Sequence, residues 1–167
     1  MAKRRKQTLA GASLELQEIE PLTRNQLKAF ESKKNLVLHG LAGTGKTFIS
    51  SYLAYDDMAK GKYQNLVVIR SAVPTRDMGF LPVILIDECQ NMSFHELDSI
   101  ITRIGENCRV MFCGDFRQAD LKQNGLQDFI KVLKRMDRFT FIEFEVEDIV
   151  RSDFVKQYII AKNELNL

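Results

Sequence analysis

The sequence has little that would mark it as secreted, membrane-embedded or zinc-binding. Its three cysteines are odd in number and lack CxxC spacing, so we predict reduced thiols in a cytosolic protein. The histidines, His39 and His95, lie far apart without partners at metal-ligand spacing. No apolar run approaches the roughly 20 residues of a membrane helix, and none follows the basic N-terminus. We therefore expect neither a membrane span nor a secretory signal.

The chain also lacks a marked excess of charge of either sign. Its 24 Lys and Arg residues and 22 Asp and Glu residues give a net charge of +2, too small to indicate nucleic-acid binding by itself. Four consecutive basic residues, 3–6, fall in a segment that we predict to be a flexible basic tail, residues 1–20. The remaining residues, 21–167, have the length and composition of one globular domain.

What the sequence does contain is a regular alternation of apolar runs and helical patterns. Five runs predict strands, at residues 35–39, 66–69, 83–86, 109–113 and 139–144. Helical patterns separate most of them, and Thr23 and Ser93 each stand three residues before a Gln or Glu, the spacing of a capping box. Strands buried on both sides give continuous apolar runs. The pattern therefore predicts an α/β fold, a parallel sheet with helices on both faces.

One connection is shorter than this fold requires. A parallel crossover takes a dozen or more residues and usually a helix. Residues 70–82, between the second and third predicted strands, contain Pro74 and Pro82 and show no helical pattern. We predict that a segment is missing between Pro82 and Val83, and that this junction is a chain break or a strained link.

The first chemical motif follows the first predicted strand. Residues 40–47, GLAGTGKT, match GxxxxGK[ST] in full, with a strand before and a helix after. The glycines let backbone N–H groups surround phosphate oxygens, and the helix directs its positive end at the same oxygens. Lys46 would reach the β- and γ-phosphates, and the Thr47 hydroxyl would bind Mg²⁺. The predicted nucleotide-binding residues are Gly40, Leu41, Ala42, Gly43, Thr44, Gly45, Lys46 and Thr47.

The second motif ends the third predicted strand. The run VILI is followed by Asp87 and Glu88, as in a Walker B strand. Carboxylates at the carboxyl end of such a strand lie where open α/β sheets bind ligands. We predict that Asp87 holds Mg²⁺, commonly through water, and that Glu88 orients and deprotonates the attacking water.

Three further residues are candidates with an alternative each. Gln118, after the fourth strand, has an amide that can sense the γ-phosphate, or it belongs to an ordinary Gly-Asp turn. Gln26 has the donor and acceptor needed to read adenine, or it caps the first helix. Arg151 is a candidate arginine finger on a γ-phosphate, or it forms a surface ion pair with Glu147 or Asp148.

Taken together, these motifs resemble the PhoH family, relatives of superfamily-one helicase ATPases. The short length resembles that of phage-borne members, although family members carry a long segment between the GFLP stretch and the Walker B strand, where this chain has none. The resemblance implies a RecA-like P-loop domain, ATPase activity, hexamer formation and a link to RNA. The matching segments, besides residues 40–47, are 70–74 (RSAVP), 78–82 (MGFLP), 83–91 (VILIDECQN), 102–105 (TRIG), 114–118 (GDFRQ) and 148–152 (DIVRS).

The leading hypothesis is an ATPase that uses ATP and Mg²⁺ and acts on RNA or single-stranded nucleic acid in the cytoplasm, that of the host if the chain is phage-encoded. The alternative is a nucleotide-dependent switch or assembly module with little turnover. A kinase is disfavoured because an acceptor site and an arginine-rich lid are missing. We also expect a homo-oligomer, such as a hexameric ring, in which Arg151 reaches the next subunit's γ-phosphate.

Overall fold

The computed structural model describes residues 4–9, 12–70, 82–116 and 125–165, with the backbone alone for residues 4–9 and 12–15. Two short 3-10 turns span Cys89–Asn91 and Val146–Asp148. The strands and helices in these residues are, in chain order, β1 (Arg4–Leu9), β2 (Ala12–Gln17), α1 (Arg24–Glu31), β3 (Asn35–Gly40), α2 (Lys46–Ala59), β4 (Asn65–Arg70), β5 (Pro82–Asp87), α3 (Phe94–Ile101), β6 (Arg109–Gly114), α4 (Leu126–Arg135), β7 (Phe139–Phe144) and α5 (Asp153–Glu164).

The predicted parallel sheet is confirmed. Five strands pair side by side in the order β4-β5-β6-β3-β7, and every pair is parallel. Among the neighbouring strands, β3 is followed by α2 on one face of the sheet and β6 by α4 on the other, so the connections reverse between β6 and β3. Ligand sites in open α/β sheets form at such a reversal, outside the carboxyl ends of the strands.

Helices cover both faces of the sheet, because the strand residues alternate between two apolar clusters. On one face, helices α3 and α4 pack against the strands; on the other, α1 and α2 do so. The first cluster includes Val37, Ile84, Ile86, Val110 and Phe112 with Leu97, Ile100, Leu126, Phe129 and Leu133. The second includes Leu36, Leu38, Leu85, Met111 and Phe144 with Ala29, Ile49, Leu53 and Ala54.

Two of the helices begin at the residues that the sequence indicates. The Thr23 side chain caps α1 by accepting a hydrogen bond from the backbone N–H of Gln26. At α3 both bonds of a capping box are present, since Ser93 and Glu96 each accept from the other's backbone amide. These caps fix the starts of the helices that flank the nucleotide-binding motifs.

Part of the segment predicted to be a flexible tail forms two strands. Within residues 1–20, β1 and β2 pair antiparallel from Arg4–Gln17 to Leu9–Ala12, as a separate two-stranded sheet. The alternation of apolar and polar residues at 13–17, SLELQ, is typical of a strand. The mobility of this segment stays a prediction.

The junction between Pro82 and Val83 is a regular part of β5, and the expected break or strained link is not found. Pro82 pairs with Asn65 and Val83 with Leu66, in unbroken parallel register with β4. The Val83 side chain is fully buried. A proline is tolerated here because it is the first residue of the strand. Residues 71–81, which make the short crossover, lie outside the described residues.

Candidate nucleotide-binding site

The predicted motifs meet at one edge of the sheet. Strand β3 ends at Gly40, β5 at Asp87 and β6 at Gly114, and these three strands are neighbours. Their carboxyl ends open into a cavity of about 660 Å³. It is lined by Ala42, Gly43, Gly45, Lys46, Thr47, Phe48, Ser51, Asp87, Glu88, Gln90, Gly114, Asp115 and Arg151.

The loop between β3 and α2 leaves the start of α2 open to a ligand. Gly45 caps the helix with φ 86° and ψ 14°, a left-handed conformation that glycine adopts without strain. Within the described residues, no side chain caps this helix. The first backbone N–H groups of α2 therefore point outward unpaired by a cap, together with the positive end of the helix dipole. This arrangement suits a phosphate group.

Lys46 stands at the first position of α2, where its ammonium bonds to the loop itself. Its Nζ donates to the carbonyl oxygens of Gly40 at 2.8 Å and Leu41 at 2.6 Å. Burial lowers the pKa of Lys46, and the nearby carboxylate of Asp115 is the strongest influence acting against that shift. A polyanion that enters the cavity would replace these neutral carbonyl contacts with stronger, charge-assisted ones.

The predicted metal-binding pair is in contact. The Thr47 hydroxyl donates to Asp87 Oδ1 at 2.8 Å, and Asp87 is 5% exposed. One hydroxyl and one carboxylate are hard oxygen donors of the kind that Mg²⁺ prefers, with its other positions left to phosphate oxygens and water. Among the described residues, no group of three or more His, Cys, Asp or Glu side chains forms a metal cage. The residues present therefore fit a cation that arrives with a phosphate ligand.

Glu88, the predicted base, follows Asp87 at the cavity's edge. Its carboxylate accepts a hydrogen bond from Gln90 Nε2 at 2.6 Å, and its second oxygen lies 3.8 Å from a guanidinium nitrogen of Arg70. Arg70 also lies 3.6 Å from the Asp87 carboxylate. The site is completed by Asp115, which is buried beside Lys46.

Sequence reasoning assigned no role to Arg70, Gln90 or Asp115. All three stand in segments that resemble the PhoH family, and this resemblance is the sequence signal by which they could have been found. Their roles depend on the strand order, which brings β4, β5 and β6 together. Spacing along the chain does not reveal that order.

Gln26 makes contacts other than the predicted one with adenine. It is 3% exposed, its Nε2 donates to the Thr44 carbonyl at 3.1 Å, and its Oε1 accepts from the Leu22 amide at 2.8 Å. Each end of the amide thus makes one contact, and the side chain bonds to the phosphate loop at Thr44, while its contact with adenine stays a prediction. Of the predicted capping box, the bond from the backbone amide of Gln26 to the Thr23 hydroxyl is present, whereas the Gln26 side-chain oxygen accepts from Leu22.

A second cavity, of about 460 Å³, adjoins the first on the side of Gln26. Its lining is mainly apolar, and Gly43, Gly45, Phe48 and Arg151 belong to both cavities. The other lining residues are Ile19, Glu20, Leu22, Gln26, Ile49 and Val150. An apolar hollow that continues from a phosphate loop has the size and surface for a flat ring system.

Arg151 lies at the phosphate loop of its own chain. The sequence-based prediction placed it at the nucleotide of a neighbouring subunit instead. The preceding amide, that of Val150, donates to the Gly43 carbonyl at 3.1 Å. A Cβ placed on Gly43 would lie 3.1 Å from Arg151 Cγ. The pairing of β7 with β3 accounts for this position, and the contact with a neighbouring subunit's γ-phosphate stays a prediction.

Two other predictions concern residues near the site. Gln118, the proposed sensor, lies outside the described residues, so its role stays a prediction. Cys89 and Cys113 are buried free thiols, as expected, and burial raises the pKa of Cys113 to about 12. Neither thiol is a candidate nucleophile, because reactive cysteines have a lowered pKa and are accessible.

Comparison with known proteins agrees with this geometry. The family model described as "PhoH-like protein" matches residues 18–83 and 82–162. Protein PhoH of Escherichia coli K12 is 25% identical over 81% of this chain and 54% of its own length; the PhoH-like protein of Synechocystis is 23% identical over 83% and 60%. The chain thus spans little more than half the length of these relatives.

Solved structures show the same fold. The large terminase from a thermophilic bacteriophage has a TM-score of 0.61 at 14% identity, over 83% of this chain and 50% of the terminase chain. Pif1 helicase from Candida albicans has a TM-score of 0.52 at 18% identity, over 89% and 44%. In the described residues, no helix is long and apolar enough to span a membrane.

The family match also restarts at the Pro82–Val83 junction. The alignment with the E. coli protein is 193 positions long, although 81% of this 167-residue chain is about 135 residues. About 58 positions of that alignment therefore have no counterpart here. The two matched segments nevertheless cover almost all of the described sheet and its site, and the chain belongs to the PhoH-like family, with a RecA-like P-loop fold.

Proposed function

We propose that this protein binds ATP with Mg²⁺ at the phosphate loop and hydrolyses it. The observation that carries the proposal is the hydrogen bond of 2.8 Å between Thr47 and Asp87, with Glu88 next in the chain and Lys46 across the same cavity. An anion site, a metal-binding pair and a carboxylate base thus share one pocket. Family membership and the P-loop fold support the same activity.

Each side chain has a step for which its position suits it. The amides at the start of α2 and the Lys46 ammonium would bind the β- and γ-phosphates and stabilise the charge that develops during transfer. Thr47 and Asp87 would hold Mg²⁺, which neutralises phosphate charge when bound. Glu88 would orient a water molecule and take its proton as the water attacks the γ-phosphorus. The bond to the leaving diphosphate then breaks.

The apolar cavity beside the loop is the proposed site of the adenine ring. Leu22, Phe48 and Val150 would cover its faces, while Gln26 keeps the phosphate loop in place. Gln26 also lines this cavity, and its amide has a second N–H and a second carbonyl lone pair beyond the contacts with Thr44 and Leu22, so it is the proposed reader of the adenine edge.

Turnover separates this proposal from the alternative of a switch or assembly module. Wild-type protein should release phosphate from ATP only with Mg²⁺, and Lys46→Ala, purified identically, is the control for contaminating ATPases. ATP binding without release of phosphate above that control would favour the switch.

We further propose that hydrolysis is coupled to RNA or single-stranded nucleic acid through α5. This helix, directly after Arg151, has no buried residue, and Phe154 and Tyr158 on one of its faces are 82% and 64% exposed. Exposed aromatic rings stack on unpaired bases and contribute about 1–3 kcal/mol per base. Lys162, one turn further along, adds a positive charge for the backbone.

The coupling predicts that single-stranded RNA increases turnover and that Phe154→Ala with Tyr158→Ala removes the increase without changing basal turnover. Tyr158→Phe is the matched control, since it keeps the stacking ring. Stimulation that survives the double substitution would exclude α5 as the contact. A shift to smaller assemblies in light scattering would instead assign these rings to the proposed homo-oligomer.

Arg151 is the proposed cation for the γ-phosphate, acting within its own chain. Arginine fingers are worth roughly 10³–10⁵ in turnover, so Arg151→Ala should lower the rate strongly while ATP binding persists. Mixing this variant with Lys46→Ala should restore nothing, because no chain then has a complete site. Recovered activity in the mixture would contradict the assignment and indicate that subunits share sites.

A further inference from the structure

A buried amide joins the ends of two strands beside the proposed base. Gln90, in the 3-10 turn after β5, is 8% exposed. Its Nε2 donates to Glu88 Oε2 at 2.6 Å, and its Oε1 accepts from the backbone N–H of Asp115 at 3.1 Å. One side chain therefore connects the carboxylate after β5 to the main chain after β6.

Glu88 needs such a connection because its backbone is unusual. It has φ 55° and ψ 37°, the left-handed region that a residue with a side chain rarely adopts. Outliers of this kind persist where surrounding contacts hold them, and they cluster at functional sites. The Glu88 side chain is 41% exposed, and it also forms the looser ion pair of 3.8 Å with Arg70. The short bond from Gln90 is thus the firmest constraint on its direction.

Gly114, the residue before Asp115, lies close to the same side-chain amide of Gln90. A Cβ placed on Gly114 would lie 2.6 Å from Gln90 Oε1 and 2.8 Å from Cys89 Sγ, closer than real Cβ contacts. Gly114 does not have a positive φ, so its backbone conformation does not require glycine. A side chain at 114 would instead displace the Gln90 amide from its present position. Glycine at 114 and glutamine at 90 are therefore parts of one arrangement.

We infer that Gln90 is a positioning residue for hydrolysis, which orients the Glu88 carboxylate and ties it to the carboxyl end of β6 through the Asp115 amide. The inference rests on the proposed function of Glu88. Gln90 accepts no proton and contacts no phosphate in this role; it acts through Glu88. The chain continues from the carboxyl end of β6 toward Gln118. A displacement of that strand end would therefore be transmitted through Gln90 to the Glu88 carboxylate.

Gln90→Glu separates the two hydrogen bonds. A glutamate keeps an oxygen to accept from Asp115, but it has no N–H to donate to Glu88 and places a second carboxylate beside it. We expect kcat to fall at least about tenfold, and by no more than in Glu88→Gln, within the 10²–10⁴-fold that a general base contributes. KM for ATP should change little. Gln90→Ala, which removes both bonds, should also lower kcat.

A double-mutant cycle tests whether Gln90 acts through Glu88. In the Glu88→Gln background, Gln90→Ala should cause no further loss of kcat, because there is no longer a base to orient. A purely structural role would instead lower kcat by the same factor in both backgrounds. Additive losses, or wild-type kcat in Gln90→Glu, would overturn the inference.

Hydrogen exchange at the Asp115 amide provides a readout that needs no turnover. The amide should be protected in wild type and in Gln90→Glu and should exchange faster in Gln90→Ala. Equal exchange in all three would overturn the bridge even in an active enzyme. If wild type releases no more phosphate than Lys46→Ala, the proposed ATPase function fails and the positioning role fails with it, whereas loss of protection in Gln90→Ala would still establish the bridge.

Discussion

The two strand-to-helix junctions that form the site are built in opposite ways. Between β3 and α2, glycines, an uncapped helix start and Lys46 present hydrogen-bond donors and positive charge. Between β5 and α3, Asp87 and Glu88 present acceptors and negative charge, and the start of the helix is closed by its own capping box. At the first junction the backbone N–H groups at the start of α2 face the cavity without a side-chain cap. At the second junction the start of α3 is capped by its own side chains.

This difference indicates that the first junction is suited to ligand binding at a cost in local stability, and that the second is suited to local stability. An uncapped helix start leaves backbone donors to water, and a side-chain cap at such a position is typically worth about 1 kcal/mol. At α2 those donors and the Lys46 charge remain for a phosphate. At α3 nothing needs them, so Ser93 and Glu96 close the helix. Substitutions at the first junction should therefore change binding, and those in the α3 cap should change folding.

Of the two carboxylates at the acidic junction, Glu88 has the larger expected effect. Glu88→Gln keeps the shape of the side chain and removes its ability to take a proton, so turnover should fall about 10²–10⁴-fold. ATP binding should persist, and this is measured by comparing single-turnover phosphate release with nucleotide affinity in the same preparation. Turnover close to wild type would remove Glu88 from the role of base.

A smaller effect is expected from the neighbouring carboxylate. Asp87→Asn should raise the Mg²⁺ concentration needed for half-maximal turnover by about 10–100-fold, the cost typical of losing a group that holds a metal's ligands. Affinity for ATP in the absence of metal should stay near wild type. Superimposable Mg²⁺ titrations of the variant and the parent would show that this carboxylate is not part of the metal site.

The smallest effect is expected from the helix cap of the second junction, and it concerns folding rather than ATP binding. Ser93→Ala should lower the free energy of unfolding by about 1 kcal/mol and leave ATP affinity unchanged. Hydrogen bonds from the Ser93 backbone and side chain lower the pKa of Glu96, so the cap's contribution is present above the unfolded-state pKa and is lost as pH falls through the lowered folded-state value. Denaturant melts at neutral and acid pH measure both; reduced ATP affinity in Ser93→Ala would break the comparison.

The sequence was sufficient where the signal is local. The five strands of the parallel sheet follow from apolar runs, α3 from Ser93 and Glu96, and the phosphate loop from its glycines and Lys46, because each of these needs only neighbouring residues. The position of Arg151 beside the phosphate loop of its own chain depends on which strands are neighbours. So does the bridge that Gln90 makes. That order is set by packing of the two faces, which no spacing along the chain records.

Calorimetric titration with Mg-ATP tests the central claim most directly. Wild type and Ser93→Ala should bind with equal affinity, while Lys46→Ala, which removes the cation from the open junction and leaves the apolar cavity intact, should bind far more weakly. Far-UV circular dichroism of all three proteins controls for folding. Equal affinity in Lys46→Ala and wild type would contradict the assignment of the phosphate site to the start of α2.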